Sequence, residues 1–133
     1  MTKHVVGRVS EIPPGQRRIV ELDGRSIGVF NVNGTFYALR NACPHQSGPL
    51  CLGKLKGLLT ATDQNHLQFS REGEVVRCPW HGWEFDVTNG RSIFNPHRLR
   101  VRAYEVTIEP EDEDPSIETF TVTVERGFVV VHV

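Results

Sequence analysis

The stretch IGVFNVNGTFYALR, Ile27 to Arg40, decides the fold class. Asn33-Gly34 stands between two runs of β-branched and aromatic residues. Asn-Gly suits the two positive φ angles that a tight hairpin turn requires, so the stretch reads as two antiparallel strands. Asp23-Gly24 repeats the signal one strand earlier, between RRIVEL and RSIGVF. Asn89-Gly90 follows WEFDV, and Arg126-Gly127 separates ETFTVTV from FVVVHV. From Glu118 to Val124, Phe120, Val122 and Val124 alternate with threonines, the pattern of a half-buried strand. No window of useful length carries a 3.6-residue apolar period. The prediction is an all-β chain whose short antiparallel strands form a small sandwich or barrel.

At 133 residues the chain is expected to form a single domain, 1–133, with a hydrophobic core that needs no disulfides. Its net charge of −1 gives no general attraction to nucleic acid or to an anionic membrane. No apolar run reaches the ~20 residues that span a bilayer. The opening MTKHVVGRVSEIPPGQ has no apolar signal core, so a cytoplasmic location is expected. The cysteines are Cys43, Cys51 and Cys78. An odd number argues for ligands or buried thiols over a disulfide framework.

Beyond Arg40 the sequence changes character. From about 41 to 96 it is rich in Gly, Pro, Cys and His, an excursion from the β scaffold. NACPHQSGPL, Asn41 to Leu50, pairs Cys43 with His45. RCPWHGWEFD, Arg77 to Asp86, pairs Cys78 with His81. Both of these paired cysteines are followed by proline. Cys₂His₂ is a normal set for structural zinc, but zinc modules usually present Cys-Cys and His-His pairs. Here each loop mixes the two ligand types. A two-iron cluster fits better: with the cysteines on one iron and the histidines on the other, each loop reaches both irons.

These two motifs, C-x-H and C-x-x-H, closely resemble those of the Rieske [2Fe–2S] family. GRSIGVFNVNGTFYALRNACPH resembles the lead-in strands of Rieske ferredoxins and of the N-terminal domains of Rieske oxygenases. VRAYEV and GFVVVHV resemble the closing strands. The resemblance implies that one [2Fe–2S] cluster is held by Cys43 and Cys78 through thiolate and by His45 and His81 through imidazole Nδ1. Ser47 departs from the family, which often has glycine there. The 32-residue spacer between His45 and Cys78 is long, and the excess is assigned to an inserted hairpin at about 58–74. His66, within it, is read as an exposed loop residue. Cys51 is read as a small buried residue. Pro44, Pro79 and Gly82 are expected to shape the ligand loops, and Pro96 to lie in a loop that covers the cluster in relatives.

The ligand set fixes the chemistry. Two ferric ions, two sulfides, two thiolates and two neutral imidazoles sum to zero charge, so the cluster accepts an electron more easily than an all-cysteine one. Such centres span about −150 to +300 mV, against about −400 mV for plant-type ferredoxins. High-potential members carry a serine and a tyrosine after the second histidine and a disulfide between the loops. Here Trp83, Phe85 and Trp80 stand at those second-loop positions, which implies a low-potential centre. The histidine edge is expected to face solvent, and the potential to fall at high pH as a ring N–H is lost. The aromatic side chains are expected to wall the cluster and pack its loops on the sheet.

The function implied is that of an electron carrier with no catalytic site of its own. It would pass single electrons from a flavin-dependent reductase to a terminal oxygenase, docking near His45 and His81, with neither nucleic acid nor membrane as partner. The alternatives are a small subunit held within a larger oxidoreductase, as in nitrite reductase, and a zinc-stabilised module. The acidic run from Glu109 to Pro115 is read as a solvated hairpin loop.

Overall fold

The computed structural model describes residues 2–44, 47–63, 66–80, 82–110 and 127–133; for 58–63 and 66–70 it describes the backbone alone. The described elements are all β, as expected, apart from two 3₁₀ turns at Val9–Glu11 and Leu50–Leu52. The strands are β1 (Lys3–Arg8), β2 (Arg17–Leu22), β3 (Arg25–Val32), β4 (Thr35–Arg40), β5 (Lys54–Asp63), β6 (His66–Arg77), β7 (Glu84–Asp86), β8 (Ala103–Pro110) and β9 (Gly127–His132). Six form one sheet in the order β1-β9-β8-β4-β3-β2, and three form a second in the order β5-β6-β7. Every pairing is antiparallel.

The turns carry the conformations their sequences demand. Asp23 and Gly24 have φ of 51° and 76°, and Asn33 and Gly34 have 53° and 93°. Both residues of each pair are left-handed, which matches the twist of the flanking strands. Each turn closes a two-residue hairpin, with Leu22 opposite Arg25 and Val32 opposite Thr35. Buried Asn31 accepts from the Gly34 N–H at 2.8 Å and donates to Ile12 O at 2.7 Å, so no polar atom of its amide is left without a partner.

Strand β3 is buried on both faces because a core lies on each side of it. Ile27 and Val29 point into one core with Phe36, Ala38, Val129 and Val131. Phe30 and Val32 point into a second with Leu39, Leu50, Cys43 and Cys78. The period-two alternation of a strand assigns successive side chains to the two cores. The outer strands of the large sheet are also joined: Arg18 of β2 donates from Nη1 to Val6 O of β1 at 2.9 Å. That bond closes the sheet toward a barrel.

Several expectations need correction. The hairpin assigned to about 58–74 runs from Lys54↔Arg77 to Asp63↔His66. Its register shifts between Lys56 and Leu58, on either side of Gly57, a bulge that read in the sequence as a strand boundary. His66 opens β6 and is not a loop residue. Asn89-Gly90 does make a turn, with the Gly90 N–H on Asp86 O at 2.7 Å. No full strand returns along β7, because 91–100 folds back on itself: the Ser92 N–H bonds Leu99 O at 2.9 Å and Arg91 bridges Arg100. Pro96 is exposed in this turn. The predicted strand at Glu118–Val124 and the acidic run beyond Pro110 lie outside the described residues.

Candidate metal centre

The second core is built around two thiols. Cys43 follows β4 and Cys78 follows β6, and both are buried. Each opens a loop with the same hydrogen bonds. The Cys43 N–H donates to Gly48 O at 2.8 Å, and the Ser47 N–H donates back to Cys43 O at 2.7 Å. The Cys78 N–H donates to Trp83 O at 2.7 Å, and the Gly82 N–H to Cys78 O at 2.9 Å. The fourth residue after each cysteine is left-handed, Ser47 at φ 58° and Gly82 at φ 74°. CPHQSG and CPWHGW therefore form two equivalent knuckles. Ser47 makes the corner that glycine makes in the other loop, at a cost of about 1–2 kcal/mol for a residue with a Cβ.

The knuckles touch at base and tip. At the base, a Cβ on Gly53 would lie 1.8 Å from Arg77 O, so the chain after loop one crosses the chain before loop two at a distance only glycine permits. At the tip, a Cβ on Gly48 would lie 2.8 Å from the Trp80 ring. Trp80 was expected to pack its loop on the sheet. It is instead 57% exposed and lies across loop one. Phe85 is fully buried and Trp83 partly buried against this core, as expected of walls. The glycine contacts at 48 and 53 escaped sequence reading, because a close approach between segments distant in sequence leaves no local pattern.

Loop one is anchored through Cys51. A Cβ on Gly28 would lie 2.6 Å from the Cys51 Sγ, so the thiol sits directly on β3. Its Sγ lies 3.5 Å from Leu39 O, and Arg17 Nη1 donates to Cys51 O at 2.8 Å. Burial pushes the Cys51 thiol up to about 12, which keeps it protonated and a poor ligand. Loop two is anchored through Asp86, which is buried. Its carboxylate accepts from Arg71 Nη2 at 2.6 Å and from the Thr88 N–H and hydroxyl at 2.9 and 2.6 Å. Burial raises its pKa, but these donors outweigh burial and hold it below the usual range.

Among the described residues no three metal-ligating side chains converge. His45 and His81 lie outside them. What the structure brings together is the sulfur half of the predicted set: two buried cysteines on matched knuckles, facing one core. That half fits a pair of thiolate ligands from opposed loops.

Residues 2–105 match the family described as the Rieske [2Fe-2S] domain. The chain belongs to this family. Its cofactor is one Rieske [2Fe–2S] cluster. The chain is 31% identical over 104 residues to the biphenyl dioxygenase ferredoxin subunit of Pseudomonas sp. strain KKS102, covering 78% of this chain and 82% of that one. It is 30% identical over 99 residues to the ferredoxin component of the naphthalene 1,2-dioxygenase system of Pseudomonas aeruginosa, covering 74% and 80%. A solved chain from the complex of reduced oxygenase and oxidized ferredoxin in carbazole 1,9a-dioxygenase superposes with a TM-score of 0.66. It is 25% identical and covers 97% of this chain and 91% of that one. Among the described residues of this Rieske chain, no helix is long and apolar enough to cross a membrane.

Proposed function

We propose that this protein is a low-potential Rieske ferredoxin, which carries single electrons from a flavin-dependent reductase to a terminal oxygenase in the cytoplasm. One observation supports this most: two buried cysteines on equivalent knuckles face a common core in a chain of the Rieske family. The ferredoxin components among its relatives serve dioxygenase systems. Cys43 and Cys78 would hold one iron, and His45 and His81 the other. When bound, the cluster stores one electron at a time. The chain's own residues then set how readily it does so.

Phe85 is sealed in the core and offers no hydroxyl, and Trp80 provides contact between the loops without a thiol. With fewer donors toward the sulfurs, less of the reduced state's negative charge is stabilised. We place the potential near the bottom of the Rieske range on that ground. The hairpin β5–β6 reads as an insertion between the ligand loops of one domain, since it projects from their crossing at Gly53 and Arg77.

The test is electron delivery. Reduced protein mixed anaerobically with an oxidised Rieske oxygenase should lose one electron per chain, followed by the cluster's visible absorption. C43S and C78S should each abolish the bound iron and acid-labile sulfide. A protein that retains the full cluster in both variants, or that holds zinc and no sulfide, would overturn the assignment.

A further inference from the structure

The charges of this chain are segregated. No acidic residue occurs between Asp23 and Asp63 or between Asp86 and Glu105, yet each of these segments carries four lysines or arginines. Eight of the sixteen acidic residues instead lie from Glu105 to Glu125, a stretch with no lysine or arginine. The acid-free segments hold the first knuckle and the chain that follows the second.

The fold gathers four of these eight cations, joined by Arg77, at the knuckles. A cavity of about 360 Å³ opens beside loop one, lined by Arg40, Arg100 and Arg102 together with Cys43, Pro44 and Ser47. A second, of about 550 Å³, opens beside loop two, lined by Lys54 and Arg77 with Cys78 and Trp80. No acidic residue is among the described residues lining either one. Arg40, Arg100 and Arg102 are exposed, and none makes an ion pair with a described residue. Arg102 is held over the Tyr104 ring, 5.3 Å from its centroid. Arg100 bridges Arg91 across an antiparallel contact, where facing like charges destabilise a sheet. Other cations are neutralised within the fold: exposed Lys3 by Glu109, and half-buried Lys56 and Arg18 by Glu84 and Glu11.

We propose that the cluster end of this protein docks a carboxylate-rich protein surface, with one partner carboxylate seated among Arg40, Arg100 and Arg102. Arginine pairs carboxylate through a planar fork of donors, so three arginines lining one cavity would supply orientation as well as charge. The patch would draw in an acidic partner although the whole molecule is slightly negative, because the local field at a docking face governs encounter. The role of this face in electron exit rests on the carrier reading given above; the anion preference itself does not.

Two small oxidants of opposite charge test the exit. Each takes one electron from the dithionite-reduced holoprotein: ferricyanide is reduced to ferrocyanide, and hexaamminecobalt(III) to cobalt(II). In stopped-flow, the ferricyanide rate should fall as salt is added and the hexaamminecobalt rate should rise. The net charge of −1 predicts the opposite signs. R40E/R100E should slow ferricyanide about three- to tenfold at low salt, and the difference should close at high salt. A ferricyanide rate that rises with salt in the unmodified protein overturns the proposal, as do salt slopes unchanged in R40E/R100E.

Calorimetric titration of the holoprotein with poly-L-glutamate separates this proposal from the carrier reading. The unmodified protein should bind it at low salt, and R40E/R100E should not. Equal binding by both, or by neither, overturns the patch while leaving the carrier reading intact. Binding lost in R40E/R100E, in a protein whose cluster delivers no electron, upholds the patch and overturns the carrier.

Discussion

Ser47 and Gly82 make the same corner in the two knuckles, one with a Cβ and one without. Relieving the left-handed strain at Ser47 recovers about 1–2 kcal/mol, less the ~0.5–1 kcal/mol entropy cost of glycine in the unfolded chain. S47G should therefore raise the holoprotein's thermal midpoint by a few degrees, and a lowered midpoint would show that the serine hydroxyl matters more than the backbone. Cys51 gives a prediction with a definite sign. Its thiol titrates near its ordinary value of 9.0 when unfolded and at about 12 when folded. Between those values the folded state holds the extra proton, so this contribution is complete below pH 9 and is lost as pH rises toward 12. The loss is on the order of 4 kcal/mol. Denaturant midpoints at pH 8 and pH 11 should fall further for the unmodified protein than for C51A; equal falls would contradict the burial account. The two knuckle cysteines, Cys43 and Cys78, were legible as single residues. The left-handed φ of Ser47 was not, since serine carries no turn signal comparable to glycine's.

At the scale of elements, the knuckles depend on supports that join strands distant in sequence. A methyl group at Gly53 would overlap Arg77 O, so G53A must push β5 and β6 apart directly beneath the cluster loops. It should destabilise the fold by more than about 3 kcal/mol and yield protein with little iron. D86N removes a charge-assisted acceptor shared by Arg71 and Thr88. Because Arg71 is 37% exposed, the expected cost is modest, about 1–3 kcal/mol in chemical denaturation. Near-native stability for either variant would show that the loops are positioned from elsewhere. Hairpins with Asn-Gly or Asp-Gly turns were readable because both turn positions need positive φ. The extent of β5–β6 was not, because irregularities between Lys56 and Leu58, opposite residues 71–74, and between Ala61 and Asp63 break the period on which the reading relied.

Across the whole molecule, β3 and β4 form a partition with a hydrophobic core on either side. One core holds the barrel together, and the other seats Cys43 and Cys78, the proposed thiolate ligands. This explains why IGVFNV is buried on both faces although it reads as a strand of an antiparallel sheet, a class that often keeps one face polar. The sequence pattern was sufficient for fold class and for the two cysteine-bearing loops, because hairpin chemistry and motif spacing are local. It did not show the arginine-lined face, which arises only when β4 and the 91–102 segment meet. The central claim is that this chain holds one low-potential Rieske cluster, and a potentiometric titration followed by visible absorption tests it most directly. The account predicts a single one-electron step well below about +100 mV, toward the −150 mV end of the range. A midpoint above about +100 mV, or no reducible centre at all, would contradict it.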